Sequence, residues 1–361
     1  MGPVTPPQEA PDAAPVLLAV DAGNSKTDVA VLRADGSVLA TARGTGFGPQ
    51  RHGVPAAVDE LGRIIADAAD KAGVRLPADH LTACVANADL PVEERRLQEE
   101  VHGRNWARTA TVTNDTFAVL RSCTSAPDAV AVVCGAGINC VGRTADGRTA
   151  RFPALGRTTG DWGGGAWLFE EVLWWSVRAE DGRGPATALA RAAAGHFGRA
   201  QATDVAVDAH LGTLPGHRLH ELVPVLCAVA EAGDEVALRI LDRQAEEVAV
   251  LAAAALTRLG LLDRAADVAL GGGVLAARPP HLLRGIRTRM AARAPRARLV
   301  VAAVPPIAGA ALLALDHAAA AGTITPKAHA VAEARLPKAF GEVSEDGLGG
   351  VGGLGGRPTP V

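Results

Sequence analysis

Short apolar runs separated by turn signals occupy the start of the chain. Three such runs lie at residues 15–20, 27–32 and 38–43. A glycine-containing turn separates the first two, and Asp35 followed by Gly36, a common β-hairpin sequence, separates the last two. The pattern predicts three antiparallel strands.

The spacing of apolar residues then becomes that of a helix. Apolar positions recur at intervals of three and four residues over 54–69, and Gly73 marks the end of this segment. A strand at 81–86, a helix at 92–101 and a strand at 109–113 follow. The first third of the chain therefore has the predicted order βββαβαβ.

The same order begins again at residue 129. A strand at 129–134, a glycine turn, a strand at 139–143 and a second Asp-Gly pair reproduce the opening pattern, which indicates an internal duplication. Helices interrupt the second copy before its remaining elements. The predicted helices span 167–179, 185–197, 219–233 and 234–259, and the closing elements are a strand at 266–270, a helix at 282–292, a strand at 298–302 and a helix at 307–321.

These patterns predict an α/β protein of two domains with a cleft between them, and the length of 361 residues favours the same number of domains. Low-complexity composition at both ends is typical of segments without a core. The predicted segments are a disordered tail (1–14), a first domain (15–116) completed by the helix at 307–321, a second and larger domain (117–306) with a helical insertion (167–260), and a Gly-rich flexible tail (323–361).

Composition and charge narrow the classes of function. The 36 Lys and Arg residues against 39 Asp and Glu residues form no basic cluster, which argues against a nucleic-acid partner. No apolar run approaches the roughly 18 to 20 residues of a membrane span, and the N-terminus lacks the features of a signal peptide. We therefore expect a cytoplasmic protein without a membrane partner.

The five cysteines contain no C-x-x-C pair, which disfavours a zinc or disulfide framework.

Two glycine turns are candidates for binding phosphate. The first is the segment DAGNSKT, which begins at Asp21, and the second contains Gly135, Ala136 and Gly137 at the equivalent point of the repeat. A turn of small residues between two strands exposes successive backbone N–H groups to an anion. A simple hairpin with a buried Asp explains the first turn alone, whereas the paired turns favour a polyphosphate. Neither is a P-loop, and the strand after Gly137 excludes a Rossmann site.

Three other clusters allow a chemical and a structural interpretation. The glycines at 271–273 permit close approach of a ligand, or form a tight strand-to-helix turn. Asn114 and Asp115 end a predicted strand, where a general base can stand, and Asp115 could instead cap the next helix. The segment 160–165 holds Asp161 and a tryptophan in glycine-rich backbone, with helix capping by Asp161 as the alternative.

Taken together, these motifs resemble those of the actin-like ATPase and sugar kinase superfamily, whose fold is a duplicated ribonuclease H-like α/β unit. Within it, the chain resembles the BadF/BadG/BcrA/BcrD-type ATPase family, in the branch of N-acetylglucosamine and glucosamine kinases, and is similar to its actinobacterial glucosamine kinases. The resemblance covers residues 16–321. It rests on VDAGNSKTDVAVL, ANADLP, TNDT, VVCGAGINCVG, TGDWGGG and VALGGGV.

The resemblance implies that the protein binds ATP and Mg²⁺. Asp21 would hold Mg²⁺ through water, and Asp115 would be the general base that accepts a proton from the 6-hydroxyl of a sugar. The implied phosphate contacts are Gly23, Asn24, Ser25, Lys26, Thr27, Gly135, Ala136, Gly137 and Asn139, the implied adenosine contacts are Gly271, Gly272 and Gly273, and the implied sugar contacts are Gln50, Asn114, Asp115, Asp161 and Trp162.

The chain departs from the family pattern at two sugar-contacting positions. The acetylated-sugar kinases commonly read Gly-Asp-Glu-Gly-Ser where this chain has Trp162 after Asp161, and an early loop that often offers Asn has Gln50 instead. Both departures weaken the expectation of acetyl recognition, and a cationic C2 amine favours a nearby carboxylate. We therefore expect phosphorylation of D-glucosamine to glucosamine 6-phosphate, with N-acetylglucosamine as the alternative substrate.

Two other classes of function stay open at this point. One is an activator ATPase of an electron-transfer system, which bridges a dimer with an iron–sulfur cluster through cysteines, although the cysteine spacing here gives no support for it. The other is a non-catalytic sugar sensor, against which the presence of Asp21, Lys26 and Asp115 together argues. The expected partners are ATP and an amino sugar, with a homodimer left open.

Overall fold

The computed structural model describes residues 14–341, and within them the chain forms ten β-strands and thirteen α-helices. These elements belong to two compact units. The first unit contains residues 14–122 and 304–341, and the second contains residues 123–303. None of the helices in this part of the chain combines the length and apolar character needed to cross a membrane.

The first unit is built on a mixed five-stranded sheet with the order β3-β2-β1-β4-β5. The first three strands pair antiparallel, and β4 and β5 add to β1 in parallel. Its elements are β1 (Val16–Ala22), β2 (Lys26–Arg33), β3 (Val38–Thr45), α1 (Pro49–His52), α2 (Val54–Ala72), β4 (Ala78–Val85), α3 (Pro91–His102), β5 (Ala107–Asn114), α4 (Thr116–Cys123), α12 (Pro306–Ala320) and α13 (Pro326–Phe340).

The central strand β1 is apolar at consecutive positions because helices cover both faces of the sheet. Leu18 and Val20 pack in a core that includes Leu61 of α2. Leu17 and Ala19 point the other way, as alternate strand residues must, and pack in a core with α12. The helix α2 ends as its sequence predicts, at Gly73, whose left-handed φ of +64° is readily adopted by glycine.

The second unit repeats this sheet. Its order is β10-β9-β6-β7-β8, with antiparallel pairs between β6, β7 and β8 and parallel pairs between β6, β9 and β10. Reading from β3 in the first sheet and from β8 in the second gives the same strand order and the same pairing directions. This agreement confirms the predicted duplicated α/β fold. Its elements are β6 (Ala129–Cys134), β7 (Ile138–Arg143), β8 (Thr149–Arg151), α5 (Gly165–Glu180), α6 (Ala188–His196), α7 (Ala202–Leu211), α8 (Leu222–Glu231), α9 (Glu235–Leu259), β9 (Ala266–Gly271), α10 (Gly273–Ala276), α11 (Pro280–Arg293) and β10 (Ala297–Val301), with 3₁₀ turns at Gly156–Thr159 and Gly216–Glu221.

Five helices, α5 to α9, lie between β8 and β9. Four helices are predicted there from the sequence, and α7 is the one that was missed. The predicted helix at 185–197 is shorter in the structure because Thr187 starts it as an N-cap, accepting the N–H of Leu189 at 3.2 Å.

The helix α13 corrects the prediction that a flexible tail begins at residue 323. Thr325 caps the helix by accepting the N–H of Ala328 at 3.2 Å, and Ala332 and Leu336 are fully buried in the core of the first unit. The glycine-rich composition that suggested a tail begins later, in residues 342–361, which lie outside the described residues. The predicted tail at 1–14 likewise falls almost wholly outside them.

A buried cation joins three helices of the first unit. Arg121 of α4 donates from Nε to Asp316 of α12 at 2.7 Å and from Nη2 to Glu333 of α13 at 2.6 Å. Its side chain is only 5% exposed. Because removing one partner of a buried ion pair leaves an unpaired charge, this cluster fixes α13 to the rest of the unit.

We predict that Leu336→Ala lowers the free energy of unfolding by about 2 to 4 kcal/mol, the usual cost of deleting a fully buried leucine side chain. Val331→Ala is the matched control, since Val331 lies on the same helix and is 61% exposed. The measurement is chemical denaturation at neutral pH. Equal stability of the two variants would show that α13 does not pack in solution.

His80 of β4 is a buried base stacked on a second histidine. Its ring lies 3.6 Å from that of His317, and its two nitrogens lie 2.8 Å from Thr109 Oγ1 and 3.1 Å from Thr82 Oγ1. Burial, and then the proximity of His317, lowers the pKa of His80 to about 4. The folded protein therefore holds His80 neutral at pH values where an unfolded chain would protonate it.

This shift predicts a loss of stability in acid. The unfolded chain binds more protons than the folded protein between pH 6.5 and about 4, so the contribution of His80 to stability is intact above pH 6.5 and falls as the pH drops. Between pH 7 and pH 5 we expect wild type to lose about 1 to 2 kcal/mol more than His80→Gln. The exposed His102→Gln is the control. Parallel stability curves for wild type and His80→Gln would contradict the prediction.

Candidate functional site

The first unit brings its acidic side chains to one edge of the sheet. The strands β1, β4 and β5 run parallel, so Asp21, near the end of β1, lies at the same edge as Asn114, the last residue of β5. Asp115 follows Asn114 directly. Ligands of open α/β sheets commonly bind beyond the carboxyl ends of the strands, which makes this edge the candidate site of the unit.

Asp21 is a buried carboxyl group, with 8% of the residue exposed, and lies opposite Asp28 of β2. Burial, followed by the charges of Asp115 and Asp28, raises the pKa of Asp21 to about 8. Asp28 is paired with two cations. Arg43 donates to it from Nε at 2.5 Å and from Nη2 at 3.2 Å, and Lys26 Nζ lies 3.2 Å away. Both cations therefore contact Asp28, and the side chain of Lys26 is still 47% exposed.

Asp115 stands at the first turn of α4. Its backbone N–H donates to the carbonyl of Val85 at 3.2 Å, and its carbonyl accepts the N–H of Ala118 at 3.0 Å, so its main chain begins the helix. Burial, and then the charge of Asp89, raises the pKa of its carboxyl to about 7, against the opposing effect of the Thr116 N–H. A carboxyl group with this pKa can accept a proton near neutral pH.

Asn114 positions this carboxyl group. Its Nδ2 donates to Asp89 Oδ1 at 2.9 Å, and its Oδ1 accepts the N–H of Thr116 at 3.1 Å. The residue is 1% exposed, and both ends of its amide are occupied within the protein. This geometry does not support the sugar contact predicted for Asn114. Its side chain instead fixes the turn from β5 into α4, on which Asp115 stands.

The acidic edge fits a hydrated Mg²⁺ ion. Carboxylate oxygens are ligands that Mg²⁺ prefers, and a cation beside Asp21 would offset the repulsion that raises the pKa of this residue. Residues 14–341 contain no group of three or more His, Cys, Asp or Glu side chains placed to hold an ion directly. Mg²⁺ commonly keeps several waters and binds through one or two carboxylates and substrate phosphates, which agrees with this donor set.

The turn between β1 and β2 is closed by a hydrogen bond from the Gly23 N–H to the Lys26 carbonyl, at 2.9 Å. Asn24, Ser25 and Lys26 are exposed, so their side chains are accessible to a ligand. Thr27 is 2% exposed, which leaves its hydroxyl buried in the sheet. Of the predicted phosphate contacts in this turn, Thr27 is therefore the one whose side chain the fold encloses.

A cavity of about 190 Å³ connects with this turn through Asn87. The Asn87 Nδ2 donates to Asn24 Oδ1 and to the carbonyl of Phe47, both at 3.0 Å. Gln50 Nε2 lies 3.4 Å from the Asn87 carbonyl and 3.4 Å from Glu93 Oε1. The predicted sugar contact Gln50 thus lines a small cavity with both polar and apolar walls. Its walls are Pro49, Gln50, Val54, Asn87, Glu93, Arg96 and Leu97.

In the second unit, the turn at 135–137 joins β6 to β7. The carbonyls of Gly135 and Ala136 accept the N–H groups of Gly165 and Ala166, the first residues of α5, at 2.8 and 2.9 Å. The first N–H groups of α5 therefore hold the turn through the carbonyls of Gly135 and Ala136. A Cβ atom at Gly135 or Gly137 would meet no protein atom within 4 Å, so the space beside both glycines is open to a ligand.

The glycines at 163–165 make this contact possible. A Cβ at Gly164 would overlap the backbone of Gly137, and a Cβ at Gly163 would lie 2.7 Å from the Nε2 atom of Gln244. Gly164 also has a φ of +84°, a conformation that L side chains rarely adopt. Close packing of α5 against the turn thus accounts for the glycine-rich segment.

The three glycines at 271–273 join β9 to α10. Gly272 has a φ of +79°, and a Cβ there would overlap the backbone of Cys134, the last residue of β6. The structural alternative given above, a tight strand-to-helix turn, therefore explains Gly272. The turn packs directly against the strand that leads into residues 135–137.

Asp161 and Asn139 are two further predicted contact residues of the second unit. Asp161 is half-buried and accepts the hydroxyl of Thr159 at 2.5 Å, and its charge contributes to raising the pKa of Glu247, which burial raises most. Asn139 lies on β7, and its Oδ1 accepts the N–H of Cys140 at 2.7 Å. Neither residue is enclosed in the core.

Trp162 is 6% exposed and packs in the hydrophobic core of the second unit. The guanidinium carbon of Arg243 lies 4.0 Å from its ring centroid. Because the ring is covered by protein, this placement does not support the sugar contact predicted for Trp162. Trp162, which stands where the acetylated-sugar kinases commonly have Glu, is therefore a core residue.

Several residues around these turns were not singled out from the sequence. Asn87 lies in the quoted ANADLP motif, but nothing in the letters shows its left-handed φ of +64°, which Asn tolerates better than most residues. Glu93 is an ordinary acidic residue of a helix first turn. Gln244 does leave a signal, since it is a polar residue spaced four positions from the buried Ile240 and Val248.

Comparison with known proteins places these features in a family. A proposed N-acetylglucosamine kinase from Chromobacterium violaceum is 22% identical, with a TM-score of 0.63 over 83% of this chain and 99% of that one. A second proposed N-acetylglucosamine kinase, from Porphyromonas gingivalis, is 18% identical, with a TM-score of 0.59 over 81% and 96%. A ROK family glucokinase from Streptomyces griseus, solved with glucose and AMPPNP, is 16% identical, with a TM-score of 0.52 over 90% and 99%.

These likenesses confirm the expected actin-like fold of the sugar kinases. Among the curated proteins, none matches the chain. The family model described as the BadF/BadG/BcrA/BcrD ATPase family matches residues 18–314, which is most of the chain. The protein belongs to the BadF/BadG/BcrA/BcrD ATPase family.

Proposed function

We propose that the protein is an ATP- and Mg²⁺-dependent kinase that phosphorylates an amino sugar, D-glucosamine, at the 6-hydroxyl. The observation that carries the proposal is Asp115, a half-buried residue whose carboxyl group the turn after β5 holds near Asp21. Membership in an ATPase family supports the use of ATP. The sugar kinases among the structural neighbours support a sugar as the acceptor.

In the proposed reaction, the 6-oxygen of the sugar forms a bond to the γ-phosphorus of ATP. The bond from that phosphorus to the β,γ-bridging oxygen breaks, and ADP leaves. Asp115 accepts the proton that the 6-hydroxyl loses, which its pKa of about 7 permits near neutral pH. Asp21 would hold Mg²⁺ through water, and the ion would supply neutralisation of the phosphate charge.

The glycine turns are the proposed nucleotide contacts. We assign its phosphates to the turn that begins at Gly23, with Lys26 as the cation, and to residues 135–137 with Asn139. We assign the adenosine to residues 271–273. Exposed side chains in the first turn and open space beside Gly135 and Gly137 support these assignments.

The sugar would contact Asp115, Asp161 and Gln50. The cavity beside Gln50 also contains the carboxylate of Glu93, which lies within 3.4 Å of the Gln50 amide. A C2 ammonium group gains more from a carboxylate than a neutral acetamido group does, because a charged donor strengthens the hydrogen bond. Glu93 and Asp161 therefore support glucosamine as the substrate.

N-acetylglucosamine is the second candidate substrate. The same cavity has three apolar walls, formed by Pro49, Val54 and Leu97, against which the methyl of an acetamido group could pack. Two structural neighbours are also described as proposed N-acetylglucosamine kinases. The choice between the two substrates depends on whether this cavity receives an ammonium or an acetyl group.

An activator ATPase of an electron-transfer system fits the structure less well. Iron–sulfur clusters are held by cysteine thiolates. Cys84, Cys134 and Cys140 are buried, and burial raises the pKa of each thiol. These three side chains are therefore neutral and enclosed within their units, which disfavours them as ligands of a cluster shared between two chains.

The proposal is tested by an ADP-release assay with glucose, glucosamine, N-acetylglucosamine and mannosamine, using wild type and Asp115→Asn. We expect glucosamine to give the highest kcat/KM. In Asp115→Asn, kcat should fall by about 10² to 10⁴, the usual contribution of a general base. The thermal stability of this variant should be unchanged or higher, because the substitution removes a charge that repels Asp21.

Asp67→Asn is the control for this assay, since it alters an exposed carboxylate on α2 that forms an ion pair with Lys71. Turnover of N-acetylglucosamine without turnover of glucosamine would replace the proposed substrate by the second candidate. If no ADP is released with any of the four sugars, the kinase proposal is wrong and a sugar sensor is favoured. Near wild-type turnover by Asp115→Asn would remove the proposed base.

The assignment of phosphate to residues 135–137 predicts a specific effect of Gly137→Ala. The added methyl meets no protein atom within 4 Å, so the melting temperature should stay within about 2 °C of wild type. The methyl would occupy space assigned to phosphate, and we expect KM for ATP to rise about tenfold, equal to about 1.4 kcal/mol of binding. Gly195→Ala, which is equally free of contacts, is the matched control. Wild-type ATP kinetics in Gly137→Ala would place the phosphates elsewhere.

A further inference from the structure

Gln244 is a fully buried polar residue in the middle of α9. Apolar residues surround it on the helix, with Ile240 and Val248 one turn away on either side. Burying an amide costs free energy unless hydrogen bonds compensate for it. The hydrogen bonds of Gln244 therefore indicate why a polar residue occupies this buried position.

The two ends of the amide make different contacts. Its Oε1 accepts the backbone N–H of Gly164 at 2.9 Å, and its Nε2 lies 3.6 Å from Cys134 Sγ, a weak acceptor. Gly164 immediately precedes α5, and Cys134 immediately precedes the turn at 135–137. One side chain thus contacts the residue before the helix and the residue before the turn.

This contact continues to the phosphate turn through the main chain. The carbonyls of Gly135 and Ala136 accept the first N–H groups of α5 at 2.8 and 2.9 Å. The backbones of Gly164 and Gly137 lie so close that a Cβ on Gly164 would overlap Gly137. A displacement of the start of α5 would therefore be transmitted to the turn, since there is no space between them to absorb it.

We infer that Gln244 is a positioning residue for the turn at 135–137: it holds the start of α5 in place, and α5 in turn fixes the direction of the N–H groups of Ala136 and Gly137. The inference rests on the proposed function only in that this turn binds nucleotide phosphate. Fixed donors bind an anion more tightly because binding then costs less ordering of the protein. A core packing role alone would be met by an apolar residue of the same size.

Three variants test the inference. Gln244→Met keeps the length of the side chain but replaces the amide oxygen that accepts the N–H of Gly164 by a thioether sulfur, which is only a weak acceptor. Gln244→Glu keeps an acceptor oxygen at this position. Val248→Ala removes buried methyl groups from the same face of α9 without touching the turn, and it serves as the control for a general loss of stability.

The measurement is the Kd for a non-hydrolysable ATP analogue with Mg²⁺ and the Kd for adenosine, by calorimetry on the full chain at a temperature where circular dichroism shows each variant folded. We expect Gln244→Met to weaken binding of the analogue at least tenfold and binding of adenosine less than threefold. Gln244→Glu should recover most of the affinity for the analogue. Val248→Ala should lower the melting temperature and leave both Kd values within twofold of wild type.

The other outcomes distinguish a failure of this inference from a failure of the kinase proposal. Wild-type affinity of Gln244→Met for the analogue would show that the residue has a packing role only. Equal losses for the analogue and adenosine, or an equal loss in Val248→Ala, would show a general disturbance of the unit. If wild type binds the analogue but phosphorylates no sugar, the kinase proposal fails while the effect of Gln244 on phosphate binding is still measured. If wild type does not bind the analogue, both the kinase proposal and the inference about Gln244 are wrong.

Discussion

The parallel pairing at the centre of each sheet is the constraint on which the candidate site depends. Parallel strands end at the same edge, so pairing β1 with β4, and β4 with β5, brings Asp21 and Asn114 to the same edge although they are distant in sequence. The same pairing of β6 with β9 brings Cys134 beside Gly272 in the second unit. Each unit thus assembles its candidate site residues at strand ends, and the helices that cover the sheet faces contribute to their burial.

That burial has opposite consequences for the acidic residues. Asp28 is compensated by Arg43 and Lys26, whereas Asp21 and Asp115 carry raised pKa values because burial and neighbouring carboxylates act in the same direction. Buried carboxyl groups that repel each other cost folding free energy. Such an arrangement is common where a cation or a proton transfer uses it, and it separates these two residues from the many ion-paired acids on the surface.

The sequence predicts nine of the ten described strands and the duplication, because most of these strands are short apolar runs that end at turn residues. It misses the three-residue strand β8. It does not predict α13, since only Ala332 and Leu336 are buried in it and Pro337 interrupts the helical pattern. Tertiary contacts stabilise this helix. Residue type also does not indicate the direction of a side chain: Asn114 and Trp162 have the chemistry of sugar contacts, yet the fold turns one toward Asp89 and the other into the core.

The glycines show why motif and role can differ. Gly164 and Gly272 are required by protein backbone that lies against them, so their absence of a side chain is explained without a ligand. Gly135 and Gly137 face open space, and nothing in the described protein forbids a side chain there. The letters of a glycine motif are the same in both cases, and only the surroundings distinguish a packing requirement from room left for a bound molecule.

The discontinuity of the first unit has a consequence for synthesis. Its residues 14–122 are synthesised before the second unit, but the face that carries Leu17, Ala19 and Leu32 is covered mostly by α12 and α13, which follow the whole of the second unit. At typical rates of synthesis this delay lasts roughly 10 to 40 s. The second unit, which is continuous, can complete its fold within that interval. An apolar sheet face therefore remains without its cover for longer than folding itself requires, and the nascent chain depends during this time on slow aggregation or on a chaperone.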